Sequence, residues 1–182
     1  MATIILLNGV GSVGKSSIAK ALQAITREPF LHVEMDAFLN MMPERFWDHP
    51  DGLVFETAQQ DGMPAIVIKS GPVAECVLRG MRHAVAAMAG QGNNLIVDDV
   101  MIEDEMAEYA ALLSGFTLHA VGVFAPLDVL EARERARGDR LIGLARWQYD
   151  RVHQGKNYDL KLDASSATPM ECAERIKRKL GL

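Results

Sequence analysis

Apolar residues along the chain fall into two kinds of stretch that alternate. Short unbroken runs, "TIILLN" at 3–8 and "NLIVDDV" at 94–100, read as strands buried on both faces of a parallel sheet. Between such runs the apolar positions recur at helical spacing. Ile18, Leu22 and Ile25 mark a helix from Lys15 to about Thr26, and Val77, Met81, Ala84, Val85 and Met88 mark one face of a longer helix ending near Gly90. "FLHVEMD" (30–36) reads as a second strand closed by Asp36, followed by a short helix that Pro43 interrupts. From 43 to 72 the pattern breaks up under Pro, Gly and Asp, as a hairpin or an ordered loop excursion would.

Beyond that, the pattern predicts a helix over about 103–114, a strand over 116–124, a helix over about 126–137 and a last strand over 158–165. Thr168 precedes Pro169, with Glu171 three positions after it, which is the signature of a capping box opening the terminal helix. Alternating strands and helices imply a doubly wound α/β sandwich around a parallel sheet.

Length and composition support this reading: 182 residues, 49% hydrophobic and 24% charged, suit one globular domain over 1–182. A net charge of −5 argues against nucleic acid or an anionic membrane as the main partner. The N-terminus lacks the features of a secretory signal and no apolar run reaches membrane-spanning length, so the expected location is the cytoplasm. Cys76 and Cys172 lie far apart and read as small apolar groups. The histidines, His32, His49, His83, His119 and His153, show no ligand spacing and read as structural or exposed. Nothing in the composition bears on oligomeric state.

The candidate chemistry begins behind the first strand. Gly9, Val10, Gly11, Ser12, Val13, Gly14, Lys15 and Ser16, with Ser17 after them, fill GxxxxGK[ST] between a strand and a helix. In that setting backbone N–H groups and a helix N-terminus cradle phosphates, the lysine meets the β and γ phosphates, and the serine hydroxyl reaches magnesium. Asp98 and Asp99 close a buried strand, where open α/β sheets bind their ligands. Asp98 follows the apolar run directly and is the better metal acid. Asp99 points the other way from a regular strand, toward the substrate or into a hydrogen bond.

A GTPase would carry NKxD and DxxG, and neither occurs. In "RERARGDR" (133–140), Arg133 and Arg137 stand at i and i+4, and Arg140 extends the same face unless Gly138 breaks the helix. Arginines converging on a transferring phosphoryl group from a lid over about 133–146 would neutralise its charge and exclude water, whereas Arg135 lies on the opposite side. Asp36 at a strand end beside the phosphate loop is placed to accept the proton of an acceptor hydroxyl, with capping of the next helix as its alternative role. Met41, Met42, Phe46 and Trp47 offer an adaptable, partly apolar lining for an acceptor, or plain core.

"ILLNGVGSVGKSS", "MDAFLNMMP", "LIVDDV", "RERARGDR" and "YDRVHQGKNYD" together resemble the chloramphenicol phosphotransferase family of P-loop kinases in order and approximate spacing. The resemblance implies a five-stranded parallel core, ATP and Mg2+ as cofactors, and a small-molecule hydroxyl acceptor. It further implies Asp36 as catalytic base, Lys15 and Ser16 at the triphosphate and metal, and Arg133, Arg137 and Arg140 as lid arginines. The segment after "MMP" departs from the family pattern, keeping Phe55 and the pair Asp61 and Gly62, and this is the stretch expected to build the acceptor pocket. The competing class is a nucleotide-binding regulatory or ATP-hydrolysing protein with a protein partner.

Overall fold

The computed structural model describes residues 1–60, 62–138 and 141–182. Five parallel strands form the central sheet: β1 (Thr3–Asn8), β2 (Phe30–Glu34), β5 (Asn94–Asp99), β6 (Thr117–Phe124) and β7 (Leu160–Asp163), in the order β2-β5-β1-β6-β7. Ile4, Ile5, Leu6 and Leu7 of the middle strand β1 are all at most 1% exposed, because layers of helices cover both faces of the sheet. Alternation then divides these residues. Ile5 and Leu7 face α1 (Lys15–Ile25), α5 (Leu127–Arg137) and α7 (Pro169–Leu180), while Ile4 and Leu6 face α3 (Pro72–Gly90) and α4 (Glu105–Leu112). Truncating any one of these four to Ala removes about 2–5 kcal/mol.

The excursion after Pro43 is a hairpin. Strands β3 (Leu53–Gln60) and β4 (Met63–Ser70) pair antiparallel, and with α2 (Met35–Leu39) and the start of α3 they enclose a third apolar cluster that includes Leu39, Met42, Leu53 and Ala74. Thr168 caps α7 in the expected box, its hydroxyl accepting from Glu171 N and its own N–H donating to the Glu171 carboxylate.

Several elements differ from the sequence reading. Strand β2 stops at Glu34 and the chain coils at once into α2, so Asp36 is a first-turn helical residue and not the end of a strand. Helix α3 starts at Pro72, five residues earlier than its apolar stripe suggests, because proline is well suited to the first helical position. A short helix, α6 (Leu144–Tyr149), begins at the end of the 133–146 segment expected to be a lid and runs past it. Among the described residues, no helix is long and apolar enough to cross a membrane.

Candidate active site

The loop from Gly9 to Gly14 leaves the C-terminal end of β1 and enters α1. A Cβ at Gly9 would stand 2.5 Å from the carbonyl oxygen of Val123, so only glycine lets the loop pass this close to β6. Gly14 caps α1 at φ 105°, in the left-handed region, and thereby turns the first-turn N–H groups toward the cleft. Gly11, Ser12, Val13, Gly14, Lys15, Ser16 and Ser17 line a cleft of about 1900 Å³, while Gly9 and Val10 are buried beneath it.

Lys15 is buried, its Nζ donating to the carbonyls of Gly9 (2.8 Å) and Val10 (3.2 Å) and lying 3.7 Å from Asp98 Oδ1. Ser16 Oγ donates to Asp98 Oδ2 at 2.5 Å. Burial alone would raise the Asp98 carboxyl, but Lys15, the Ser16 hydroxyl and the neighbouring His32 together hold it below its ordinary value. It is an anion facing a hydroxyl across the phosphate-loop helix, the donor pair that a magnesium nucleotide requires.

Asp99, the next residue, faces the opposite side of the sheet. Its carboxylate accepts from Tyr109 Oη (3.0 Å) and Val100 N (2.7 Å), and burial pushes its pKa up. Of the two roles open to it, the structure places Asp99 in the hydrogen bond and away from the cleft.

A second polar system underpins the loop from behind. Asn8 receives Met101 N on Oδ1 (2.8 Å) and donates to the Val152 carbonyl (2.8 Å) and to Tyr158 Oη (2.8 Å). Tyr158 Oη lies 2.8 Å from His153 Nδ1, and the His153 ring stacks on Phe124 at 3.7 Å. Burial pushes the His153 pKa down to about 4, which leaves Nδ1 free to accept from the tyrosine. Lys156 adds a clamp from the same segment, donating to the carbonyls of Ile102 and Glu103.

The arginine helix is anchored more firmly than a free lid would be. Arg133 donates to the carbonyls of Val13 (3.2 Å), Ala164 (2.7 Å) and Ser165 (3.4 Å), tying the phosphate loop to the chain after β7. Arg137 lines the cleft on the same face, and Arg135 is exposed. Helix α5 ends at Arg137 with Gly138 beyond it; Arg140 lies outside the described residues.

Two residues of this region had no signal in the sequence. Glu134 is buried, and its carboxylate accepts from Gly143 N and Ala145 N at 2.8 Å each, fixing the start of α6. Gln148, on α6, accepts from Gly11 N at 2.7 Å and so reaches the phosphate loop itself.

The same cleft is also lined by Asp36, Asn40, Trp47, Leu53, Phe55 and Ile68. Trp47 and Phe55 stack with planes 6° apart and centroids 6.4 Å apart, presenting an aromatic wall from either side of the hairpin entrance. The other proposed lining residues go elsewhere. Met42 is core, Met41 is 66% exposed, and Phe46 packs edge-on against His49.

A family model described as chloramphenicol phosphotransferase-like protein matches residues 2–181. The chain belongs to that family. Relatives from two strains of Mycobacterium tuberculosis, provisionally named O-phosphotransferases, are 31% identical over 179 residues, covering 95% of this chain and 80% of theirs. Among solved structures, a Janibacter sugar kinase superposes with a TM-score of 0.67 at 19% identity, over 100% of this chain and 95% of that one. The APS kinase of M. tuberculosis, solved with AMPPNP and APS, also gives 0.67, at 16% identity over 100% and 98%. The shikimate kinase of Aquifex aeolicus gives 0.58 at 15% identity over 98% and 96%. The fold is that of the P-loop kinases, and membership of the family makes the chain a phosphotransferase.

Proposed function

We propose that this phosphotransferase moves the γ-phosphate of ATP to a hydroxyl of a small, partly apolar acceptor, with chloramphenicol as the first compound to try. The observation that carries the reading is the layout of one cleft: Lys15, Ser16 and Asp98 converge at the phosphate loop, and Asp36 faces the same space beside the Trp47–Phe55 wall. Ser16 and Asp98 would hold magnesium, which supplies charge neutralisation across the β and γ phosphates. Lys15 swings from the carbonyls of Gly9 and Val10 to the phosphate oxygens. Asp36 accepts the proton as the acceptor oxygen bonds to the γ phosphorus and the bond to the bridging oxygen breaks, releasing ADP. Arg137 meets charge on the transferring group, while Arg133 acts through the loop it braces. Trp47 and Phe55 give the acceptor an apolar face to lie on, while Asn40 offers it a hydrogen-bond partner.

Product analysis tests the proposal: the protein is incubated with magnesium ATP and chloramphenicol, then with a panel of other alcohols, and phosphorylated alcohol is sought by mass spectrometry. Formation of an O-phosphorylated product that is lost in Lys15→Ala supports it. Nucleotide binding, or hydrolysis to ADP, with no phosphorylated acceptor from any alcohol would overturn it in favour of a regulatory or hydrolysing role.

A further inference from the structure

We infer that His32, Glu34 and Asp98 form a site for one borderline divalent cation of the zinc or cobalt type, assembled by the sheet and independent of nucleotide. The argument starts from strand geometry. His32 and Glu34 stand two apart on β2, so their side chains leave the same face of the sheet. Asp98 is the register partner of Glu34 on the adjacent parallel strand β5, which brings all three to one spot.

One ligand atom from each residue lies within 4.8 Å of the other two, and His32 Nε2 is 3.8 Å from Asp98 Oδ2. His32 Nδ1 is 3.7 Å from Glu34 Oε1. Ligands around a tetrahedral zinc at about 2.0–2.2 Å stand roughly 3.3–3.6 Å apart, close to the 3.8 Å between His32 Nε2 and Asp98 Oδ2.

A second observation points to a ligand. The His32 side chain retains 9% of its surface, and its Nε2, directed at Asp98, is buried without a hydrogen-bond partner. A buried ring nitrogen ordinarily has a partner, and a cation seated between Nε2 and Asp98 would supply one. Lys15 sits on the other oxygen, Oδ1, and is also held by two carbonyls, while Oδ2 accepts from the Ser16 hydroxyl, which a bound cation would share or displace. Imidazole nitrogen favours zinc and cobalt over magnesium, which prefers oxygen alone. Since the site draws on Asp98, a cation bound there competes with magnesium nucleotide for one carboxylate.

The test uses the nucleotide-free protein and Co2+ as the probe, followed by its visible d–d absorption and by calorimetry. One equivalent should bind, with at least a tenfold loss of affinity in both His32→Ala and Glu34→Gln, and none in His83→Ala, which removes an exposed histidine on α3. Because Glu34 is partly exposed at the strand end, its variant tests the site even if His32→Ala does not fold. Equal Co2+ affinity in wild type and Glu34→Gln, or no equivalent bound at millimolar Co2+, overturns the inference. As neither nucleotide nor acceptor is present, that failure is separate from any failure of phosphoryl transfer.

Discussion

Removing the Glu134 carboxylate should unseat the segment that carries Gln148. Glu134 is 2% exposed and accepts two backbone hydrogen bonds of 2.8 Å, from Gly143 and Ala145, both of which are themselves buried. A hydrogen bond to a charged group contributes about 1.5–3 kcal/mol, and orphaning a buried donor places the loss toward the upper end. Glu134→Ala, which removes two such bonds, should therefore lower stability by about 5 kcal/mol, which for a chain of this size is roughly a 15 °C fall in Tm. Glu134→Gln keeps one acceptor oxygen but turns an N–H2 toward an N–H, so it should recover less than half of that loss. Differential scanning calorimetry of the three proteins decides the matter. A fall of less than 3 °C in Glu134→Ala, or a glutamine variant as stable as wild type, would refute the claim that this carboxylate fixes α6.

Arg133→Ala should lower ATP affinity and Tm together, since it releases the Val13, Ala164 and Ser165 carbonyls, whereas Arg135→Ala should change neither; calorimetric titration with ATP checks both. Asp36→Asn should reduce turnover about a hundredfold or more with Mg-ATP affinity unchanged, while Asp98→Asn should raise the magnesium requirement, as steady-state kinetics against Mg2+ would read. His153 has a folded pKa lowered to about 4 from 6.5, so the unfolded chain takes up its proton first as pH falls. Its contribution to stability is thus present above pH 6.5 and lost between there and about 4, and urea midpoints measured across that window should be flatter for His153→Gln.

What could be read from the sequence follows the physics of each element. Strands β1 and β5 were legible because burial on both faces leaves an unbroken apolar run, and the phosphate loop because its glycines and lysine sit at fixed offsets between a strand and a helix. Helix α6 was not. It has six residues, too few to display a stripe, and the group that starts it, Glu134, belongs to another helix. The spacing of Arg133 and Arg137 gave the correct face but not the partners, because backbone carbonyls have no signature in sequence. Met41 and Met42 show the same limit at finer grain: adjacent and chemically identical, one is exposed and the other is core. His32 and Glu34 were not legible as a pair, because what brings them to Asp98 is the pairing of β2 with β5, which the sequence does not display.

Gly143 is a junction between α5 and the hairpin. Its N–H goes to Glu134 of α5, and its carbonyl accepts from Ile66 N (3.0 Å) of the hairpin whose Phe55 and Ile68 line the cleft. One turn further on, Gln148 touches Gly11. If an acceptor drew the hairpin inward, the strain would be felt at Gly143 and so at the contact that Gln148 makes with the phosphate loop. Linkage then requires symmetry: whatever factor acceptor binding applies to nucleotide affinity, nucleotide binding must return to the acceptor. The two substrates would then report on each other through a single peptide unit.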